Sequence, residues 1–219
     1  MKRRIMALLL AWAMLTSLLP VFAADVGYGD TDGHWAQTEI DRWSSYGIWQ
    51  GDGTAFYPDE PVTRAEAAAV FSRLMGYTKT QENRFTDLEN KWYTSDVLKV
   101  CAAGLLQADG QEIRPEDSLN RQEGAFMLCK ALGIEEQQGA TGFADDAEIA
   151  DWARPAVRAL QSAQLIETAS ESNFEPQTAL TRAQLVKLID SAVKGYFYQP
   201  GTYTGDVEGN VVVSAAGVV

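Results

Sequence analysis

Three arginines stand at matching places in the chain. Arg64 lies in Thr63-Arg64-Ala65-Glu66, Arg121 in Asn120-Arg121-Gln122-Glu123 and Arg182 in Thr181-Arg182-Ala183-Gln184. Each string has a Pro five residues before its first residue (Pro58, Pro115, Pro176) and an apolar helical run behind it. The outer residues of each string form a capping box. The Thr or Asn oxygen accepts the free N–H at the third helical position, and the Glu or Gln there reaches back to the cap's own N–H. The Arg is left over. A cation at the first helical position faces the positive end of the helix dipole, which disfavours it by roughly a few tenths of a kcal/mol. Made three times, that choice points to work other than holding the helix itself.

The elements that carry these residues repeat as well. An aromatic-x-Asp unit occurs at Tyr28-Gly29-Asp30, Phe85-Thr86-Asp87 and Phe143-Ala144-Asp145, followed by Trp35, Trp92 and Trp152. A helical apolar spacing comes next (Ile40, Trp43; Val97, Val100; Val157, Leu160). It closes on Gly47, Gly104 or, in the third copy, Gln164. Gly suits a left-handed helix end. A polar loop leads to Phe56, Ile113 or Phe174 two residues before the Pro. Trp-to-Trp intervals are 57 and 60 residues and capping-box intervals 57 and 61. A period of this length marks tandem structural units. Each reads as helix, loop, helix, over about 28–76, 85–133 and 143–195, with the third unit's last helix carrying Leu185, Leu188, Ile189 and Val193. One hairpin has too little apolar surface to fold alone, so three must bury their faces on one another. The repeats alone leave open an open rod and a closed ring. The fold class expected is all-α, with residues 24–84, 85–142 and 143–195 as the three repeats. Residues 196–219 form a β-prone tail, because β-branched residues with closely spaced Gly and no helical period read as strand. Some 20 residues cannot make an independent sheet, so the tail is either the opening of a larger β module or a frayed end.

Composition limits the chemistry. Lys2, Arg3 and Arg4, an apolar run from Ile5 to Leu19, Pro20 and the small Ala23 and Ala24 read as a signal peptide over 1–23. The run is short for a bilayer span, so export and removal are expected, with no membrane insertion afterwards. Removal leaves 15 basic residues against 30 acidic ones, a formal charge near −15. That argues against nucleic acid as a partner; an anionic ligand would need a few focused Arg groups working against the overall field. Cys101 and Cys129 lie on the two helices of the second unit. Export permits a disulfide, though two small half-buried thiols are the plainer reading. His34 is the only His and has no metal-ligand spacing around it. No nucleophile–base set or phosphate loop is present. The reading is therefore non-enzymatic, with no catalytic residue, cofactor or metal.

Aromatic-x-Asp, Gly33-His34-Trp35-Ala36, Gly47-Ile48, Gly51-Asp52-Gly53-Thr54-Ala55-Phe56-Tyr57-Pro58 and Val62-Thr63-Arg64-Ala65-Glu66 together resemble an S-layer homology repeat, and the resemblance covers about 28–195. It implies a pseudo-threefold bundle whose grooves hold secondary cell-wall polysaccharide. That glycan is often capped by a pyruvylated amino sugar, so the module would anchor an exported protein on the bacterial surface. A pyruvate ketal presents one carboxylate on a rigid ring. A guanidinium binds a carboxylate through two parallel N–H bonds, a geometry Lys cannot copy, and a helix start adds free backbone N–H groups. A Trp face packs on the C–H face of a sugar, and Asp accepts from its hydroxyls. The resemblance thus assigns Asp30, Trp35 and Arg64, Asp87, Trp92 and Arg121, and Asp145, Trp152 and Arg182 to ligand binding. The second unit departs from the pattern at Lys91-Trp92-Tyr93 and Asn120; the third departs at Gln164, at Gln184 and in a Gly-free loop over 167–173.

Structural roles stand beside these. Trp43, on the Ile40 face, reads as core. Trp35 is open to either role, each Asp could only cap the following turn, and each Arg could pair with a neighbouring carboxylate. Two further functions also stay open. One is the anchor of a polysaccharide-degrading β-solenoid, a C-terminal cargo module beginning near Gly201; the other is a structural surface-lattice protein.

Overall fold

The computed structural model describes residues 27–166 and 172–214. The expected signal peptide, the middle of the third loop and the end of the tail lie outside the described residues. Six α-helices are present among them: α1 Gln37–Ser45, α2 Arg64–Met75, α3 Thr94–Ala102, α4 Arg121–Ala131, α5 Arg154–Ser162 and α6 Arg182–Ala192. A 3-10 turn, Asp146–Glu148, precedes α5, and two strands, β1 Val193–Phe197 and β2 Asn210–Val213, follow α6. The chain is mostly helical with little strand.

All three capping boxes form. Thr63 with Glu66, Asn120 with Glu123 and Thr181 with Gln184 exchange side chain-to-backbone bonds in both directions. The left-handed stops also appear. Gly47 and Gly104 have φ of +72° and +76°, and Gln164 takes the same conformation at +57°. A non-glycine residue there costs roughly 1–2 kcal/mol, so the surrounding fold imposes the turn on Gln164.

The units bury their faces mainly on each other. α2 packs on α3, α4 on α5, and α6 returns to α1. The backbone closes the same circuit. The Val62 N–H donates to the Leu180 carbonyl (2.9 Å), the Leu180 N–H to Leu119 (2.8 Å) and the Leu119 N–H to Val62 (2.8 Å). Each of these residues directly precedes a capping box, so one three-membered ring of hydrogen bonds fixes the starts of α2, α4 and α6 around a point. An open rod has no contact between its first and third units; the return of α6 to α1 and the ring exclude it. The core runs through all three units and includes Trp43, Trp49, Phe71, Met127 and Phe174. Both cysteines are free, and the Cys129 thiol donates to the Ile134 carbonyl (3.3 Å).

The tail differs from the expected pattern in one respect. α6 stops at Ala192, and Val193, expected to be helical, opens β1. β1 pairs in parallel with β2, and the Asn210 side chain takes the Ala192 carbonyl (3.0 Å). That bond satisfies a carbonyl the helix end leaves unpaired. The strand pair rests on the bundle. Tyr196 packs against Trp43 and Tyr46, with ring centroids 5.6 and 5.3 Å apart.

Candidate functional site

The three arginines do hold something other than their own helices. Arg64 donates from Nε to the Ile113 carbonyl (3.0 Å), from Nη2 to Gln107 (2.5 Å) and from Nη1 to the Glu123 carboxylate. Arg182 repeats this set one unit on. Its Nε reaches the Phe56 carbonyl (2.8 Å), Nη2 reaches Gln50 (2.9 Å) and Nη1 reaches Glu66 (2.8 Å). Arg121 donates from Nε to the Phe174 carbonyl (2.6 Å) and lies over the Phe174 ring. Each guanidinium thus fastens the loop of one unit to the capping helix of another. Arg64 is 2% exposed. Burial pulls the Arg121 and Arg182 guanidiniums below their ordinary range, with nearby carboxylates acting in the opposite direction.

The helix starts do not offer free N–H groups to an anion, which corrects the expectation. The N–H groups of Arg64 and Ala65 donate to Asp117 and Pro115 (both 2.9 Å). Those of Arg121 and Gln122 donate to Thr178 and Pro176 (3.0 and 3.1 Å), and those of Arg182 and Ala183 to Glu60 and Pro58 (both 2.9 Å). The Pro-containing loop of a neighbouring unit occupies each helix start. Helix N-termini demand acceptors, and the ring supplies carbonyls.

The aspartates hold loops, though not the turn that follows them. Asp30 accepts from the Phe56 and Tyr57 N–H groups (2.8 and 2.6 Å), Asp87 from Ile113 and Arg114 (2.9 and 2.6 Å), and Asp145 from Phe174 and Glu175 (2.8 and 2.7 Å). Tyr57, Arg114 and Glu175 all sit at positive φ, +59°, +50° and +57°. Each carboxylate therefore holds a strained residue just before the Pro, strain of roughly 1–3 kcal/mol that isolated backbone would release.

The repeated tryptophans face outward. Trp35, Trp92 and Trp152 are 58%, 65% and 40% exposed, whereas Trp43 and Trp49 are buried. Each exposed Trp borders a cleft containing one of the arginines. The first cleft, about 520 Å³, brings together Trp92, Arg182 and Glu66 with Trp49, Tyr57 and Arg73. The second, about 310 Å³, brings together Trp35, Arg121 and Gln184 with Gln164 and Lys187. The third holds Trp152, Arg64, Glu123 and Phe126. In every case the Arg, the capping-box helix and the Trp come from three different units. Sequence alone could not show which Trp accompanies which Arg, because the pairing follows from ring closure.

The third cleft is filled. Phe126 occupies it edge-on to Trp152, with centroids 5.2 Å apart at 87°, leaving no room for a water molecule. The matching residues, Ala69 and Lys187, leave the first and second clefts open. Arg73 and Lys187 are cleft residues the motif reading missed. Their position on α2 and α6, one to three turns past the capping box, was the available signal. Arg73 donates to the Ile48 carbonyl (3.2 Å), and Lys187 pairs with Glu39 (2.5 Å). In the first cleft wall the Tyr57 hydroxyl and the loop N–H groups hold the Asp52 carboxyl far below its usual range. Among the described residues no three His, Cys, Asp or Glu side chains gather to hold a metal ion. No described helix is long and apolar enough to cross a membrane.

A family model described as S-layer homology domain matches residues 27–68, 84–125 and 142–186. An amylopullulanase of Thermoanaerobacterium thermosulfurigenes is 31% identical over 77% of the chain and 10% of its own length. An exoglucanase XynX of Acetivibrio thermocellus is 31% identical over 77% of the chain and 16% of its own. An S-layer protein of Bacillus thuringiensis subsp. finitimus is 24% identical over 94% of the chain and 26% of its own. The chain spans between a tenth and about a quarter of the length of these relatives.

Proposed function

The chain belongs to the S-layer homology domain family, and from that premise we propose that its repeats form a pseudo-threefold bundle tethering an exported protein to cell-wall polysaccharide. The observation that carries this reading is the meeting of one exposed Trp and one Arg, from different units, in each of two open clefts. A solvent-exposed indole beside a concave polar wall suits the C–H face of a pyranose, and half-exposed aromatics with a polar rim are the usual anchors of binding surfaces. The backbone ring and the return of α6 to α1 support the threefold arrangement.

Trp92 and Arg182 meet the glycan in the first cleft, and Trp35 and Arg121 in the second. The ligand is an anionic glycan, carrying a pyruvate ketal on an amino sugar. Arg64 and Trp152 border the filled cleft and serve the fold. Asp30, Asp87 and Asp145 serve the clefts indirectly, by holding the loops that form their walls. The protein is exported and held at the bacterial wall or surface layer. The two carbohydrate-enzyme relatives, matched over a tenth and a sixth of their lengths, favour a cargo beyond the tail. The S-layer relative favours a lattice protein instead.

Sedimentation with purified wall sacculi tests the reading. Wild-type protein pellets with untreated sacculi and stays in solution after mild acid has removed ketal pyruvate. A Trp35→Ala/Trp92→Ala double variant stays in solution with both. Equal pelleting of both proteins with both preparations would sink it.

A further inference from the structure

The last turn of α2 puts a second cation into the first cleft, one that the capping-box pattern does not include. Arg73, half-buried, lines that cleft with Trp92 and Arg182. Arg182 is already committed: its Nε holds the Phe56 carbonyl, its Nη2 the Gln50 carbonyl and its Nη1 the Glu66 carboxylate. Arg73 donates from Nη1 to the Ile48 carbonyl (3.2 Å) and has no carboxylate partner among the described residues. A guanidinium carries five N–H groups, so most of its donors remain unspent beside open space. The carboxylates of the same lining are engaged or exposed. Glu66 holds Arg182 and accepts the Thr63 N–H. Asp52 accepts from the Thr54 and Ala55 N–H groups and from the Tyr57 hydroxyl. Glu60 is exposed, where water and salt screen its charge. The matching place, nine residues after each capping-box Arg, is filled differently in the other units. α4 has Lys130 there, which pairs with Glu136 (2.9 Å) and lies over the Phe126 ring, and α6 has Ser191.

We propose that Arg73 receives the carboxylate of the ligand, with the sugar that bears it packed on Trp92. This rests on the glycan-binding reading above. The chain as a whole is acidic, so an anion is held where a cation is not offset by a carboxylate of the protein. Arg73 meets that condition, and the capping-box Arg of the same cleft does not. The planar fork of a guanidinium takes a carboxylate through two parallel N–H bonds. The bond to Ile48 orients that fork before the ligand arrives, which lowers the ordering cost of binding. Arg182 shapes the wall beside it. A cation in a last helical turn also suits the negative end of the helix dipole, so the fold keeps this charge without neutralising it.

Nitrogen–proton correlation spectra report each cleft separately through its Trp indole. The Trp92 signal is followed as a pyruvylated disaccharide, or the same disaccharide without its ketal, is added to wild type, Arg73→Gln, Arg73→Lys and Lys130→Gln. In wild type the pyruvylated sugar moves Trp92 at a concentration about tenfold or more lower, the scale of a hydrogen bond to a charged group. Arg73→Gln brings the two concentrations together and leaves the response to the ketal-free sugar near wild type. Arg73→Lys keeps part of the preference, since the charge stays but the fork is lost, and Lys130→Gln keeps all of it. A role confined to the helix end would instead lower the thermal midpoint of Arg73→Gln and leave the preference intact. An Arg73→Gln protein with wild-type preference at Trp92 overturns the proposal, as does a Lys130→Gln protein that has lost it. If wild-type Trp92 responds equally to both sugars, or only Trp35 responds, glycan anchoring stands and the assignment of the carboxylate to Arg73 falls. If neither sugar moves an exposed indole, the anchoring reading itself fails, and this proposal with it.

Discussion

Replacing Arg64 separates a fold clip from a ligand hand. The side chain is 2% exposed and bonds two carbonyls and the Glu123 carboxylate, all belonging to the second unit. Arg64→Ala leaves Glu123 without its cation in a cleft that admits no water, and leaves two acceptors unpaired. Breaking a buried pair by removing one partner costs about 3–5 kcal/mol, whereas losing an exposed pair costs about 0–1 kcal/mol. For a domain of this size 1 kcal/mol corresponds to about 2–4 °C, so the thermal midpoint falls by about 10 °C. Urea unfolding gives the free energy directly. A second variant, Arg64→Met/Glu123→Gln, removes both charges while keeping an acceptor for the Asn120 N–H, and recovers the part of the loss that comes from the uncompensated carboxylate. Glycan binding in the first and second clefts survives in that double variant. If Arg64→Ala unfolds within about 1 kcal/mol of wild type yet no longer binds glycan, the guanidinium is a ligand contact and the structural argument is wrong.

Other consequences are equally accessible. Phe126→Ala empties the third cleft, costs about 3–4 kcal/mol of stability and raises the calorimetric glycan stoichiometry above wild type; Ala69→Phe lowers it by closing the first cleft. Burial pushes both thiols up to about 11, so Cys101 and Cys129 resist iodoacetamide at pH 8. Because the folded values are raised, this contribution to stability is complete below the ordinary thiol range and disappears as pH rises through 11, visible as an alkaline fall in the thermal midpoint. At the acid end, the bond from Lys187 lowers Glu39, the Tyr93 hydroxyl lowers Glu116, and the Thr141 hydroxyl lowers Asp146. Depressed carboxylates stabilise the fold above their ordinary range, and the gain is lost as pH falls through the folded values. The midpoint therefore drops below about pH 4, and Glu39→Gln shows a smaller drop than wild type.

The local features were readable from the chain because local chemistry determines them. A capping box needs only four residues, and all three formed. Trp43, with Ile40 on the same helix face, is core; its indole N–H also bonds Asp190 of α6 (3.0 Å). What the chain did not disclose depends on distant partners. Arg64 finds its acceptors 43 to 59 residues away, and no periodicity encodes carbonyls that a loop turns inward. Phe126 reads as an ordinary apolar helix residue, and only the arrival of Trp152 from the next unit makes it a plug. Val193 follows the helical apolar spacing, but pairing with β2 wins over propensity, as tertiary contacts routinely do. The aspartates are open to ligand contact or to capping the following turn from sequence, and their actual task is not legible there because the N–H groups they accept lie 26 to 30 residues downstream.

Indole N–H resonances give the most direct reading of where a sugar goes, since each Trp contributes one resolved signal. A nitrogen–proton correlation titration with a pyruvylated disaccharide should move Trp35 and Trp92, while the signals of Trp152 and the buried Trp43 and Trp49 stay in place. A spectrum in which Trp152 moves and the other two do not, or in which no exposed indole responds, contradicts the account.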